Sequence, residues 1–159
     1  MRQILILLLV LSLALSGYLY YEQNRLKQAE QLVVYFIRAT PTNFLLVPAV
    51  RTVSEPVTPQ KAVELLLAGP DETEEFLHPA VPVETKLLGL TIENRTAVAN
   101  FSEELRTKFV GGSQLESHLV NAIVSTLIQF PEIDQVRILI EGKPVESIAG
   151  HIYIDYNLP

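Results

Sequence analysis

The feature that most constrains this chain is a stretch without a single charge, the 18 residues from Ile4 to Tyr21, made mainly of Leu, Ile, Val and Ala. As a helix rising ~1.5 Å per residue it reaches about 27 Å, close to the ~30 Å hydrocarbon thickness of a bilayer. The sequence therefore predicts an N-terminal transmembrane helix within residues 1–21. Arg2 and the amino terminus precede the run, whereas Glu22, Arg25, Lys27 and Glu30 after it sum to zero. The positive-inside bias then keeps the amino end in the cytoplasm and sends the rest outward. Tyr18, Tyr20 and Tyr21 fall at the outer interface, which suits a ring with an apolar body and a wet hydroxyl. A cleaved signal peptide is the competing reading, because the small residues Ala14 and Ser16 stand at the −3 and −1 positions of a cut before Gly17. The run continues past that site, which favours the anchor. The expected location is the plasma membrane, single-pass with the C-terminal domain extracytoplasmic; secretion after cleavage is the alternative.

Residues 22–31 turn polar and read as a stalk, and residues 32–159 supply one domain's worth of chain. The whole sequence is acidic, with formal charge −6 and only 12 Lys+Arg, none gathered into a run. Such a chain offers no cationic stripe for nucleic-acid phosphates. With no Cys, it has no disulfide framework, thiolate zinc site, thiol nucleophile or lipid-modified Cys.

Within the domain, Val33 to Ile37 and Phe44 to Val53 read as a hairpin around Pro41-Thr42-Asn43, with Pro48 confining the second strand to an edge or bulge. Thr58-Pro59 opens a helix over Gln60 to Ala68 and Gly69-Pro70 closes it, with Ala62, Val63, Leu65 and Leu66 inward. Asp71 to Glu75 is acidic and reads as exposed. Lys86 to Ile92 and Thr96 to Phe101 form an antiparallel pair about Glu93-Asn94-Arg95. Ser113 and Glu116 have capping-box spacing before a second helix that carries Leu115, Leu119, Ile123 and Leu127 and stops at Pro131. Gln135 to Ile140 alternates as a strand, Glu141 to Pro144 turns, and Ile152 with Ile154 reads as a terminal strand. The expected fold class is α+β, a mostly antiparallel sheet with two main helices packed on one side, preceded by the transmembrane helix.

Three segments, Leu46 to Arg51, Ala62 to Pro70 and Ile123 to Pro131, are followed by Val136 to Lys143. In this order and spacing they resemble the GerMN domain, the sporulation and spore germination family of bacterial envelope proteins. The resemblance runs from about Val33 to Asp155. It implies an α/β or α+β domain displayed outside the membrane and linked to sporulation, germination or cell-wall processes. It implies no catalytic triad.

The residues themselves assemble no reaction. Ser113 or Ser125 with His78, His118 or His151 lacks the Gly-x-Ser-x-Gly elbow. The three His residues lack metal-ligand spacing, and Asp71, Glu72, Glu74 and Glu75 lack the pattern of a calcium loop. No catalytic residue, metal site or cofactor is expected. Two features read as binding surfaces. Gln114, His118, Asn121, Ser125 and Gln129 recur at helical spacing as a stripe of uncharged polar groups, which a partner or glycan desolvates at lower cost than charges. Arg51 ends an apolar run, and its guanidinium suits either a structural ion pair or a partner's carboxylate. The expected function is a membrane-tethered binding or assembly domain whose partner is a cell-envelope protein or cell-wall component. Self-association is a further option, including pairing at the strand edge Phe44 to Val50. A peptidoglycan-acting enzyme or its accessory subunit is the alternative.

Overall fold

The structure, a computed structural model, describes residues 2–27, 30–54 and 56–159, with the side chains of the first helix described only at 3 and 9–21. That helix, α1 (Arg2–Lys27), takes in the uncharged run and most of the polar stalk. The stalk's last two residues, Glu30 and Gln31, belong instead to the first strand. Among the described residues no helix is long and apolar enough to cross a membrane; the side chains at 4–8, five of the most apolar in the sequence-predicted span, lie outside them.

β1 (Glu30–Ala39) and β2 (Phe44–Val53) form the expected hairpin, in register from Glu30 opposite Val53 to Ala39 opposite Phe44. α2 (Pro59–Ala68) follows with its punctuation as expected: Thr58 Oγ1 accepts the Lys61 N–H at 3.1 Å, and Gly69 takes φ 84° after the last turn. A two-residue strand that the sequence did not signal, β3 (Leu77–His78), pairs with the far edge of β1. β4 (Leu87–Glu93) and β5 (Thr96–Phe101) turn through Asn94 and Arg95, both at positive φ, as a two-residue hairpin requires. A single helical turn, α3 (Glu104–Thr107), and the long α4 (Ser113–Ile128) lead to β6 (Gln135–Ile140) and the short β7 (Lys143–Pro144).

The α+β class stands, but the strands divide into two sheets, ordered β2-β1-β3 and β4-β5-β6-β7. One pair is parallel: β5 with β6, Thr96 opposite Gln135 through Phe101 opposite Ile140. The connection between them contains α4, which carries the chain back to the end where β5 began, and a strand entering there runs parallel. α4 packs on β1, β2 and β6 and on α2, so one helix joins both sheets around a single core. Phe36, Phe101, Leu66, Leu119, Ile123, Leu127 and Ile138 are all fully buried in it.

Two local expectations are corrected. Ser113 is the first residue of α4 rather than its cap; Gly112 occupies that position and no side chain caps the helix. The Ile152–Ile154 segment forms no strand, because the end of the chain is held by a buried carboxylate, described below, and by a bridge between Val136 and Leu158.

Candidate functional site

The polar stripe on α4 is a seam against the first sheet over much of its length. At its start, the Gln114 side-chain amide donates to Asn43 Oδ1 and, at 3.2 Å, to the Phe44 carbonyl. His118 Nε2 lies 3.0 Å from the same carbonyl, which fixes a proton on that nitrogen, since a carbonyl only accepts. At its far end Gln129 accepts the Val33 N–H at 2.9 Å and donates to the Val33 carbonyl at 2.9 Å. Between them Asn121 is exposed and donates to Ser117 Oγ at 3.3 Å, and Ser125 is half-buried. The structure thus brings Gln114 and His118 together on one carbonyl, leaves Asn121 toward solvent and sends Gln129 to another strand.

These contacts show how the sheet edges are managed. The N–H and C=O of one strand residue point the same way, so Phe44, Leu46, Pro48, Val50 and Thr52 present theirs to the free edge of β2. Pro48 loses no ladder bond there, since its missing N–H would face outward. The Phe44 carbonyl is taken by α4, and the Val50 carbonyl accepts from Arg51 Nη1 at 3.3 Å. Two carbonyls of this edge are thus taken within the chain, and Pro48 offers no donor at a third position.

Arg51 faces inward beside Ala49 and Val53, and its side chain is only 11% exposed. Its guanidinium forks onto Glu74, Nη2 to Oε2 at 2.5 Å and Nη1 to Oε1 at 3.2 Å, with Asp71 at 3.7 Å. The cation also sits over the Phe36 ring, 5.2 Å from its centroid. Its carboxylate partner is therefore one of the chain's own, and the acidic segment is not uniformly solvated: Glu74 also accepts the Asp71 N–H at 2.9 Å. The hydrogen bond from Arg51 holds the Glu74 carboxyl below its ordinary range; the Asp71 N–H and the charge of Arg51 act the same way against partial burial.

The group that sequence reasoning assigned wrongly is Glu116. It is completely buried, and its carboxylate accepts three backbone N–H groups: Ile148 at 3.0 Å and Ala149 at 2.8 Å on Oε1, and His151 at 3.0 Å on Oε2. The capping-box spacing with Ser113 masked its true address. The available signal was its place on the stripe that carries Leu119, Ile123 and Leu127, where a charge needs partners.

His78 and His151 are exposed, as is Ser113, and no hydrogen bond joins a Ser hydroxyl to a His ring among the described residues. Among the same residues no group of three His, Cys, Asp or Glu is placed to hold a metal ion. An apolar groove of about 320 Å³ lies between the 79–84 loop and the turn before α4, lined by Val81, Val83, Phe109 and Val110, with Glu84 and Lys108 also contributing.

The order of these elements matches a known family. The family model Germane, sporulation and spore germination, matches residues 33–146, which is most of the chain. The chain belongs to the Germane family. Solved structures agree on the fold of this Germane domain. It is similar to the tandem GerMN domains of the sporulation protein GerM from Bacillus subtilis, with TM-score 0.67 and 22% identity, over 84% of this chain and 46% of that one. It therefore spans less than half of that tandem structure. The first GerMN domain of the same protein matches with TM-score 0.62 and 23% identity, over 81% of this chain and 96% of that one. A protein from Clostridium perfringens described as a lipoprotein matches with TM-score 0.56 and 25% identity, over 83% and 88%. No curated protein sequence matches the chain.

Proposed function

We propose that this Germane domain is a membrane-tethered, extracytoplasmic binding or assembly module serving sporulation, germination or related envelope processes. The observation that carries the reading is α1. Its described apolar side chains from Leu9 to Tyr21 are 56% to 71% exposed, and none joins the core of the domain. Exposed apolar surface on that scale needs a covering, and a bilayer covers a helix apolar on all sides. The domain then works on the outer side, where tethering raises its local concentration near the envelope and makes weak contacts effective. In this reading the partner-facing part of the α4 stripe is the segment around Asn121 and Ser125, which makes no bond to the sheet; Gln114, His118 and Gln129 orient it. Arg51 supports the fold beneath.

Alkaline carbonate extraction of membranes from producing cells tests the tether. The full chain is expected in the membrane pellet, and a Leu9→Arg, Leu13→Arg variant in the supernatant. Recovery of the unaltered chain in the supernatant would contradict the reading. Asn121→Lys, checked for unchanged folding, is expected to lower co-purification with envelope material.

A further inference from the structure

The outward face of the four-stranded sheet carries a site that neither the tether nor the α4 surface uses. A cavity of about 290 Å³ opens there, lined by Glu93, Asn94, Thr96, Val98, Arg137 and Asn157. Along β5 and β6 the residues of this face alternate with the buried Ala97, Val136 and Ile138, so the pleat itself places the lining side chains on the open side. Arg137 connects the cavity to an aromatic shelf. Its guanidinium is held by Asp155, and Asp155 lies between Tyr153 and Tyr156 in the chain. Those two rings stack with 16° between their planes and centroids 5.9 Å apart, yet they are 60% and 45% exposed.

We propose that this cavity and the Tyr153–Tyr156 shelf form a binding site for an uncharged saccharide chain. Hydroxyl and amide groups on Thr96, Asn94 and Asn157 both donate and accept, as exchange with sugar hydroxyls requires. The near-parallel rings offer a rigid apolar surface to the C–H face of a pyranose, and a Tyr side chain has few torsions to immobilise. The charges select against an anionic ligand. Arg137, the cation in the lining, is already held by Asp155, while Glu93 adds negative charge. A phosphate or carboxylate polymer has to compete with Asp155 for Arg137, whereas a neutral polyol finds donors and acceptors without displacing that ion pair.

The proposal names a ligand class for the envelope reading and rests on it for the ligand's presence. Its test runs in detergent solution, so failure of the tether and failure of saccharide binding are read separately. The full chain in a sugar-free zwitterionic micelle is titrated with chitotetraose, an uncharged tetrasaccharide of N-acetylglucosamine, and followed by amide NMR. Saturable shifts are expected at residues 93–98, 137 and 153–157. The Tyr153→Ala, Tyr156→Ala pair is expected to weaken binding by about tenfold or more, ~1.4 kcal/mol. The Tyr153→Phe, Tyr156→Phe pair keeps the rings and is expected to retain most of the affinity. Absence of saturable shifts in the unaltered chain would overturn the proposal. So would equal shifts from inorganic phosphate, or undiminished binding by a folded double-alanine variant.

Discussion

Gln129 pairs with Val33 as a neighbouring strand would, accepting its N–H and donating to its C=O, each at 2.9 Å. β3 reaches the same edge of β1 only at Ile37 and Arg38, so one side-chain amide continues the ladder where the strand stops. At the other end of α4, Gln114 and His118 hold Phe44 on the free edge of β2. The step from Gln114 to Gln129 along the helix rises about 22 Å. The hairpin between the Phe44 and Val33 levels extends about 20 Å. α4 therefore crosses the hairpin and is fastened at both of its edges.

Removing the Gln129 amide leaves both Val33 groups without their protein partner. Gln129→Ala is expected to cost about 1–2 kcal/mol, with amide exchange accelerated at Val33 more than at Val34 or Phe36. Equal protection at Val33 in the variant would show that the pairing carries no stability.

Glu116 holds the end of the chain in the same manner, through backbone rather than through a cation. Glu116→Gln keeps the shape but replaces one charge-assisted acceptor, and is expected to lose about 2–3 kcal/mol. Denaturation should report the loss, and limited proteolysis should open first between residues 146 and 152. A variant with unaltered stability and no new cleavage would contradict this assignment.

The Arg51–Glu74 pair gives a pH dependence of definite sign. Because the folded carboxyl titrates below its ordinary value of 4.5, the pair's stabilisation is fully present above that value. As pH falls below it, the unfolded chain takes up the proton first, and the contribution fades until the folded carboxyl is protonated as well. Glu74→Gln is expected to flatten this part of the stability profile. Arg51→Lys, which loses the two-pronged contact, is expected to cost about 1–3 kcal/mol near neutral pH. Both are read from denaturant midpoints across an acid series.

The turn before α4 offers a paired test. A methyl group on Gly111 would meet Leu115 Cβ at 2.8 Å and Phe109 Cζ at 3.1 Å, whereas one on Gly112 meets nothing within 4 Å. Gly111→Ala is expected to destabilise by about 1–3 kcal/mol as the groove wall shifts, and Gly112→Ala by much less. Similar melting temperatures for the two would contradict the packing described.

Much of the fold was legible because its signals are local. Thr58-Pro59 and Gly69-Pro70 bound α2 as read, and the apolar runs on either side of Asn43 and of Asn94 pair as hairpins. What escaped the sequence depends on contacts distant in the chain. Glu116 bonds residues 32 to 35 positions away, and Gln129 bonds one 96 positions away, which neither periodicity nor capping rules encode. The parallel β5–β6 pair was missed because strand alternation carries no direction; only the length of the intervening helix does. The stripe on α4 was visible as a pattern of neutral polar residues, but their spacing does not say that three of the five turn toward the chain's own strands.

The central claim is that α1 carries the Germane domain across the bilayer, and the absence of Cys makes it directly measurable. Glu75 is exposed, so Glu75→Cys places the chain's sole thiol on the domain surface without touching the Arg51 pair. Intact cells producing this variant are treated with a membrane-impermeant maleimide before and after permeabilisation. The account predicts full labelling in sealed cells and no increase on opening them; labelling only after permeabilisation would place the domain in the cytoplasm and contradict it.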